Sequence, residues 1–275
     1  GAGFTFPQLV FWEYVVGTVV FGAVLFGQRG RLPRDGRFWR GLLLAAGVGC
    51  GVPLFLFWSY RLGPVSVAAT LLFLYVPFTQ LLNGVLTRRA PPGREIVAGV
   101  LVVVGAGVAS ELTAATQTRD LAGAPLAMLA AFCFSVFLVV TARLGTVGGA
   151  TLRSGVCCAV SCVVMAVVAG AAGWNLWPDG LAVTAPEAVG WVIGLGVMGQ
   201  VIPVFLLVRH GPRVGSGAGA ILTATELPVA VVVAAWVLGD RAGTAQVLGV
   251  LLVLGGIALP QLGAGRRTAG DGAGT

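Results

Sequence analysis

The sequence predicts an all-α integral membrane protein: nine transmembrane helices, arranged as two repeats of inverted topology. Three observations carry this. The 275 residues are 57% hydrophobic and only 10% charged, where soluble domains carry about 25% charged residues. Apolar stretches long enough to cross a bilayer core as helix, which takes about 20 residues, recur along the whole chain. The second half also repeats the pattern of the first.

The spans fall at 7–27, 41–60, 64–86, 96–110, 122–142, 154–174, 188–208, 214–238 and 244–262. The fourth is short, held between Glu95 and Glu111, and crosses where the bilayer thins or its ends extend. Brief connections suit a compact bundle. Residues 1–111 form the first repeat, 112–262 the second, and the Gly-rich polar tail 263–275 is expected to be disordered. Mean hydropathy is +0.95.

All seventeen basic residues are Arg. With connection 28–40 placed inside, the inner connections hold Arg29, Arg31, Arg34, Arg37, Arg40, Arg88, Arg89, Arg94, Arg143, Arg153, Arg209 and Arg213, and the tail holds Arg266 and Arg267. Only Arg61, Arg119 and Arg241 fall outside. The positive-inside rule therefore puts residue 1 outside and the C-terminus in the cytoplasm. The net charge of +7 is a topology signal. No basic face exists to neutralise phosphates, which excludes nucleic-acid binding. Cys50, Cys133, Cys157, Cys158 and Cys162 all lie within apolar stretches and read as small hydrophobes, not metal ligands. No signal peptide is recognisable ahead of the first span.

Two segments recur with a spacing of about 150 residues. "VPLFLFWSYRLGP" from residue 52 matches "IPVFLLVRHGP" from 202, and "LYVPFTQLLNGVLTRRAPPGREIVAGVLVVVGAGVA" from 74 matches "TELPVAVVVAAWVLGDRAGTAQVLGVLLVLGGIAL" from 225. Pro53 pairs with Pro203, Pro77 with Pro228, Gly99 with Gly249 and Gly105 with Gly255. The linker "TRRAPPGR" falls inside and its counterpart "GDRAGT" outside, so the copies face opposite ways. Opposite topology requires an odd number of helices per repeat. The second repeat shows five and the first four, so parity predicts a further helix ahead of residue 1; the chain starts at Gly1, not Met.

These segments resemble the drug/metabolite transporter superfamily, in particular its EamA-like ten-helix carriers. The ladder of a Gly/Pro turn, a helix with a central Pro, a short loop and a Gly-spaced helix occurs twice. Where that loop usually reads Gly-Glu-Arg in the family, this chain has Gly239, Asp240 and Arg241, and Arg88 and Arg89 in the first copy. "GFTFPQLVFWEYV" resembles the start of the family's second helix, with Glu13 where Arg is frequent. The resemblance implies a multi-pass carrier of the bacterial inner membrane that moves small metabolites or toxic compounds, often outward and coupled to protons.

The polar residues within the spans are the candidate site. Glu226 lies at the midpoint of 214–238, where an ionised acid costs about 2.5–3.5 kcal/mol. It must face the bundle interior, find a partner or carry a proton. We assign it proton or cation coupling; the alternative is a neutral structural acid bonded to a neighbouring helix. Tyr75 occupies the same place in the first copy, two residues before its Pro, and reads either as a substrate contact at a repeat interface or as a packing ring. Glu13, about 9 Å along its span from Pro7 at the helical rise, is a second cation-attracting group or the partner of an outer Arg. Tyr14, Gln80, Asn83 and Gln200 are cavity candidates, and the amides are equally inter-helix glue. Pro53, Pro77, Pro203 and Pro228 bend their helices, as hinges or as static kinks.

Gly211, Gly215 and Gly219, and Gly47 with Gly51, have the spacing that lets helices approach closely, or that builds a homodimer surface. "GLGVMG" at 194–199 matches a dinucleotide fingerprint, but no strand precedes it. His210 falls in a connection beside Arg209. No catalytic constellation is visible, so neither enzyme activity nor a metal or other cofactor is expected. The reading is a secondary transporter that exports a small organic metabolite or drug by alternating access, coupled to protons as the resemblance implies. The alternatives are an uptake carrier or uncoupled facilitator and, in another class, a non-transporting membrane scaffold or signalling partner.

Overall fold

The computed structural model describes residues 4–28, 32–109, 121–177, 186–229, 232 and 243–270. It is all-α. The helices are α1 (Phe6–Gln28), α2 (Gly36–Leu62), α3 (Val65–Leu72), α4 (Tyr75–Thr87), α5 (Gly93–Ala109), α6 (Ala124–Arg143), α7 (Gly149–Ala172), α8 (Pro186–Leu195), α9 (Ile202–Val214), α10 (Ser216–Thr223) and α11 (Thr244–Gly270), with a π-helical turn, Gly196–Val201, joining α8 to α9. Each of the nine apolar spans contains helix. Among the described residues, six helical stretches are long and apolar enough to cross a membrane: Phe6–Gln28, Gly36–Leu62, Val67–Thr87, Ala124–Arg143, Gly149–Ala172 and Val189–Val214.

The structure departs from the sequence reading at several boundaries. Span 64–86 is two helices, α3 and α4, and span 214–238 opens as the short α10. Helix α7 begins at Gly149, ahead of the predicted 154, and so takes in Arg153. Helix α11 runs to Gly270, past the predicted end at 262. Residues 239–242 of the "GDRAGT" loop, with Asp240 and Arg241, the acid Glu111, Arg119, and residues 271–275 lie outside the described residues.

The helices group into two compact units, Gly1–Phe57 with Val140–Val214, and Trp58–Val139 with Gly215–Thr275. Each unit draws on both halves of the sequence.

In the first unit α1 and α7 pack antiparallel. Val10 and Tyr14 near the start of α1 meet Met165 late in α7, whereas Phe21 late in α1 meets Cys158 early in α7. Gly17 permits this approach: a Cβ there would stand 2.8 Å from Cys158 Sγ. The π-turn rests on the same helix, with Gly196 against Val16. At one end, Gln8 Nε2 donates to the carbonyls of Asn175 and Trp177, both at 3.1 Å, and Trp12 Nε1 donates to Leu176 O at 3.2 Å. These bonds hold the segment after α7 to α1.

In the second unit α5 and α11 are also antiparallel, in backbone contact. A Cβ on Gly105 would lie 2.7 Å from Gly249 O, and one on Gly256 would lie 2.8 Å from Ala98 O. As the index rises on one helix it falls on the other. Of the small residues read from the sequence as a close-approach stripe, Gly47, Gly211, Gly215 and Gly219 make no such contact among the described residues. A Cβ on Gly47, Gly211 or Gly219 would meet nothing within 4 Å, and Gly215, at φ +84°, is the positive-φ link between α9 and α10.

Candidate functional site

Two helices of the second unit are broken in the same way. Helix α3 ends at Phe73, with φ −63° and ψ −10°; α10 ends at Ala224 with the same angles. Phe73 N–H donates to Thr70 O, Leu74 N–H to Leu71 O, Val76 N–H to Phe73 O and Phe78 N–H to Leu74 O. The same four bonds recur as Ala224 to Ile221, Thr225 to Leu222, Leu227 to Ala224 and Val229 to Thr225. The cause lies in the sequence. Pro77 and Pro228 carry no N–H, so the carbonyls of Phe73 and Ala224 lose their i+4 donors and accept from i+3 instead, which tightens each break.

Tyr75 and Glu226 are the first residues beyond the breaks. Tyr75 is 3% exposed. Its ring meets Phe134 edge-on at 4.8 Å and lies 6.1 Å from Phe73. Its backbone carbonyl accepts from Thr79 Oγ1 at 2.7 Å. Its hydroxyl is buried and has no hydrogen-bond partner among the described residues. Glu226 is exposed, and its carboxyl is near enough to the hydroxyls of Tyr60 and Tyr75 to act on both electrostatically. An exposed acid thus lies within electrostatic range of a buried hydroxyl that has no hydrogen-bond partner among the described residues.

The amides on α4 bond to neighbouring helices. Gln80 Nε2 donates to Glu95 O at 2.7 Å, joining α4 to α5. Asn83 and Ser216 bond reciprocally, Nδ2 to Oγ at 2.8 Å and Oγ to Oδ1 at 3.0 Å, joining α4 to α10. Ser216 lies at the start of α10 opposite the later part of α4, while Glu226 beyond α10 lies near Tyr75 at the start of α4. The two broken helices therefore run antiparallel.

The other candidates are in the first unit. Glu13 is half-buried on α1 and faces the π-turn, with Oε1 3.9 Å from where a Cβ of Gly199 would stand. Gln200, in that turn, donates Nε2 to Cys158 Sγ at 3.8 Å. The π register is visible in the bond from Ile202 N–H to Val197 O; Pro203 comes next and has no N–H to restore the α register. Tyr14, 8% exposed, sits in an apolar cluster with Val10 and Met165. Pro53 lies inside α2. Pro212 also lies inside α9, where the sequence reading places a connection.

The sequence reading also missed Arg153. It is 2% exposed and donates from Nη2 to Val208 O at 2.8 Å, from Nη1 to Thr141 O at 3.5 Å and from Nε to Gly149 O at 3.4 Å. The signal that could have found it is the pair Gly148 and Gly149, both left-handed at φ +73° and +75°. They turn the chain and start α7 early enough to draw the arginine in.

Comparison with known proteins gives three findings. The model of the EamA-like transporter family matches residues 2–110 and 121–260. No curated protein matches the chain. A solved structure titled only as a crystal structure of a protein superposes with a TM-score of 0.79 at 17% identity, over 95% of this chain and 90% of that one. The chain therefore shares the fold of that protein.

Proposed function

Since the chain belongs to the EamA-like transporter family, it is a multi-pass membrane transporter and not an enzyme, and we propose that it is a secondary active carrier. It exports a small organic metabolite or drug across the bacterial inner membrane by alternating access, coupled to protons. The observation that carries this reading is the pairing of Tyr75 and Glu226 just beyond two matching helix breaks. Broken helices near the bilayer midplane are where carriers place substrate and coupling-ion sites, and an intramembrane acid marks such a site by default.

The inverted duplication is part of the proposal. The antiparallel runs of α4 against α10 and of α5 against α11 support it, as does the family match in two successive stretches. The arginine distribution supports a cytoplasmic C-terminus. In the cycle, Glu226 takes a proton from the outer side, and the neutral carboxyl lowers the cost of closing around it. Substrate leaves as the proton binds, and the proton is released inside when the acid next meets inner water. Tyr75 offers its free hydroxyl to substrate or to the ionised carboxyl. Glu13, half-buried on α1, is the secondary cation-attracting group.

Reconstitution tests this. Proteoliposomes with an imposed proton gradient and an internal pH dye are challenged with amino acids, sugars and cationic drugs. The expected result is substrate-dependent proton flux for at least one class, absent in protein-free vesicles. Substrate flux that ignores the gradient overturns coupling, and no flux of any compound favours the scaffold reading.

A further inference from the structure

The first unit contains a cavity that the transport reading does not use. It has a volume of about 260 Å³ and is lined by Thr146, Thr151, Arg153, Phe205, Arg209 and Arg213, together with the first turn of α7. Arg153 is buried. Arg209 and Arg213 are exposed, and the Arg209 guanidinium lies 5.6 Å over the Phe205 ring. Among the described residues no acid lines the cavity, and none of the three arginines has a carboxylate partner.

The backbone adds to this charge. Helix α7 starts at Gly149 with no side-chain cap, so the N–H groups of its first turn are free of intrahelical partners. Gly149 N–H is taken by Thr146 O at 3.2 Å; Ala150 and Thr151, the next two residues, line the cavity. A helix N-terminus is its positive end and ordinarily attracts acids. Here the same cavity is lined by three arginines. Arg153 has spent three of the five N–H donors of a guanidinium on backbone carbonyls, which leaves two. The fields of the helix end and the arginines add, and only an anion relieves them.

We propose that this cavity binds a phosphate group, carried either by an anionic lipid headgroup or by a small soluble phosphate ester. Several arginines with a free helix N-terminus suit the many acceptor oxygens of phosphate better than the two of a carboxylate. The cavity lies where α7 begins and α9 ends, so it is at the membrane boundary, the level at which basic pockets take lipid headgroups. Its volume is below the ~300–1,000 Å³ of pockets for drug-sized ligands, so it takes a headgroup-sized molecule and is not a second transport site. The Thr146 and Thr151 hydroxyls supply further donors.

The test uses the full chain, delipidated in neutral detergent, with two probes. Thermal melting is followed with glycerol 3-phosphate and inorganic phosphate against sodium chloride at matched ionic strength. Retention of phosphatidylglycerol against phosphatidylcholine is followed by native mass spectrometry. The double variant Arg209→Gln/Arg213→Gln changes exposed residues only, and Arg34→Gln/Arg37→Gln, exposed elsewhere, is the control. We expect saturable stabilisation by the soluble phosphates, or selective retention of phosphatidylglycerol, at least tenfold weaker in the double variant and unchanged in the control. The first result identifies a soluble ester, the second a lipid. The proposal is overturned if neither probe binds saturably, if the double variant binds as well as the parent, or if the control loses as much.

Discussion

Tyr75 and Glu226 hold matching places: each opens the second limb of a broken helix, two positions ahead of a proline, and the carboxyl lies within electrostatic range of the buried Tyr75 hydroxyl. The four backbone bonds around Phe73 recur around Ala224, so the local geometry places an acid in one break where the other has a phenol. That exchange sets a titratable carboxyl at one break where the other has a hydroxyl.

Glu226→Gln keeps the size of the side chain and removes its titration. Proton-coupled flux in proteoliposomes is expected to fall at least tenfold, equivalent to about 1.4 kcal/mol. Residual substrate movement is expected to lose its dependence on pH. A variant with the parental pH profile denies Glu226 the coupling role.

Tyr75→Phe removes a hydroxyl without a partner and leaves the ring packed on Phe134. An unsatisfied buried polar group costs about 1–3 kcal/mol, so the melting temperature is expected to hold or rise. Transport is expected to drop while stability does not. If both stay at the parental level, Tyr75 is a packing residue.

Gly249→Ala sets a methyl group against the Ala109 backbone and Gly105 O. Overpacking of this kind costs ~1–3 kcal/mol, read as a lower melting temperature in detergent. Gly211→Ala, with nothing within 4 Å, is expected to stay within about 0.5 kcal/mol of the parent. Equal effects at the two positions contradict the backbone contact.

Arg153→Met strips the donor from Val208 O and its weaker bonds to Thr141 O and Gly149 O. A hydrogen bond to a charged group is worth about 1.5–3 kcal/mol, and a loss of that size is expected in chemical or thermal unfolding. Arg143→Met, at an exposed arginine in the last turn of α6, is the comparison and is expected to change stability by less.

Apolar runs and prolines made much of the architecture legible in the sequence. Hydropathy located helix within every span, and Pro77 and Pro228 marked where two of them break, because a missing N–H acts locally whatever the tertiary surroundings. Features that depend on neighbours were not legible. Gln80 and Asn83 are committed to Glu95 O and Ser216, partners a single sequence does not reveal. The stripe Gly211, Gly215 and Gly219 has the spacing of a packing seam, but Gly215 separates two helices. Arg153 reads as a connection residue until the left-handed pair Gly148 and Gly149 fixes where α7 begins.

The π-turn Gly196–Val201 has a consequence for every residue downstream of it. One extra residue let into an otherwise regular α-helix rotates the remainder of the helix by about 100°. The column from α8 to α9 therefore carries two surfaces with unrelated bearings. One, at Gly199, looks onto an acid; the other, past Val208, presents guanidinium groups. Excising a single residue from the turn would swing the arginine-bearing surface away from its present direction without altering any side chain on it.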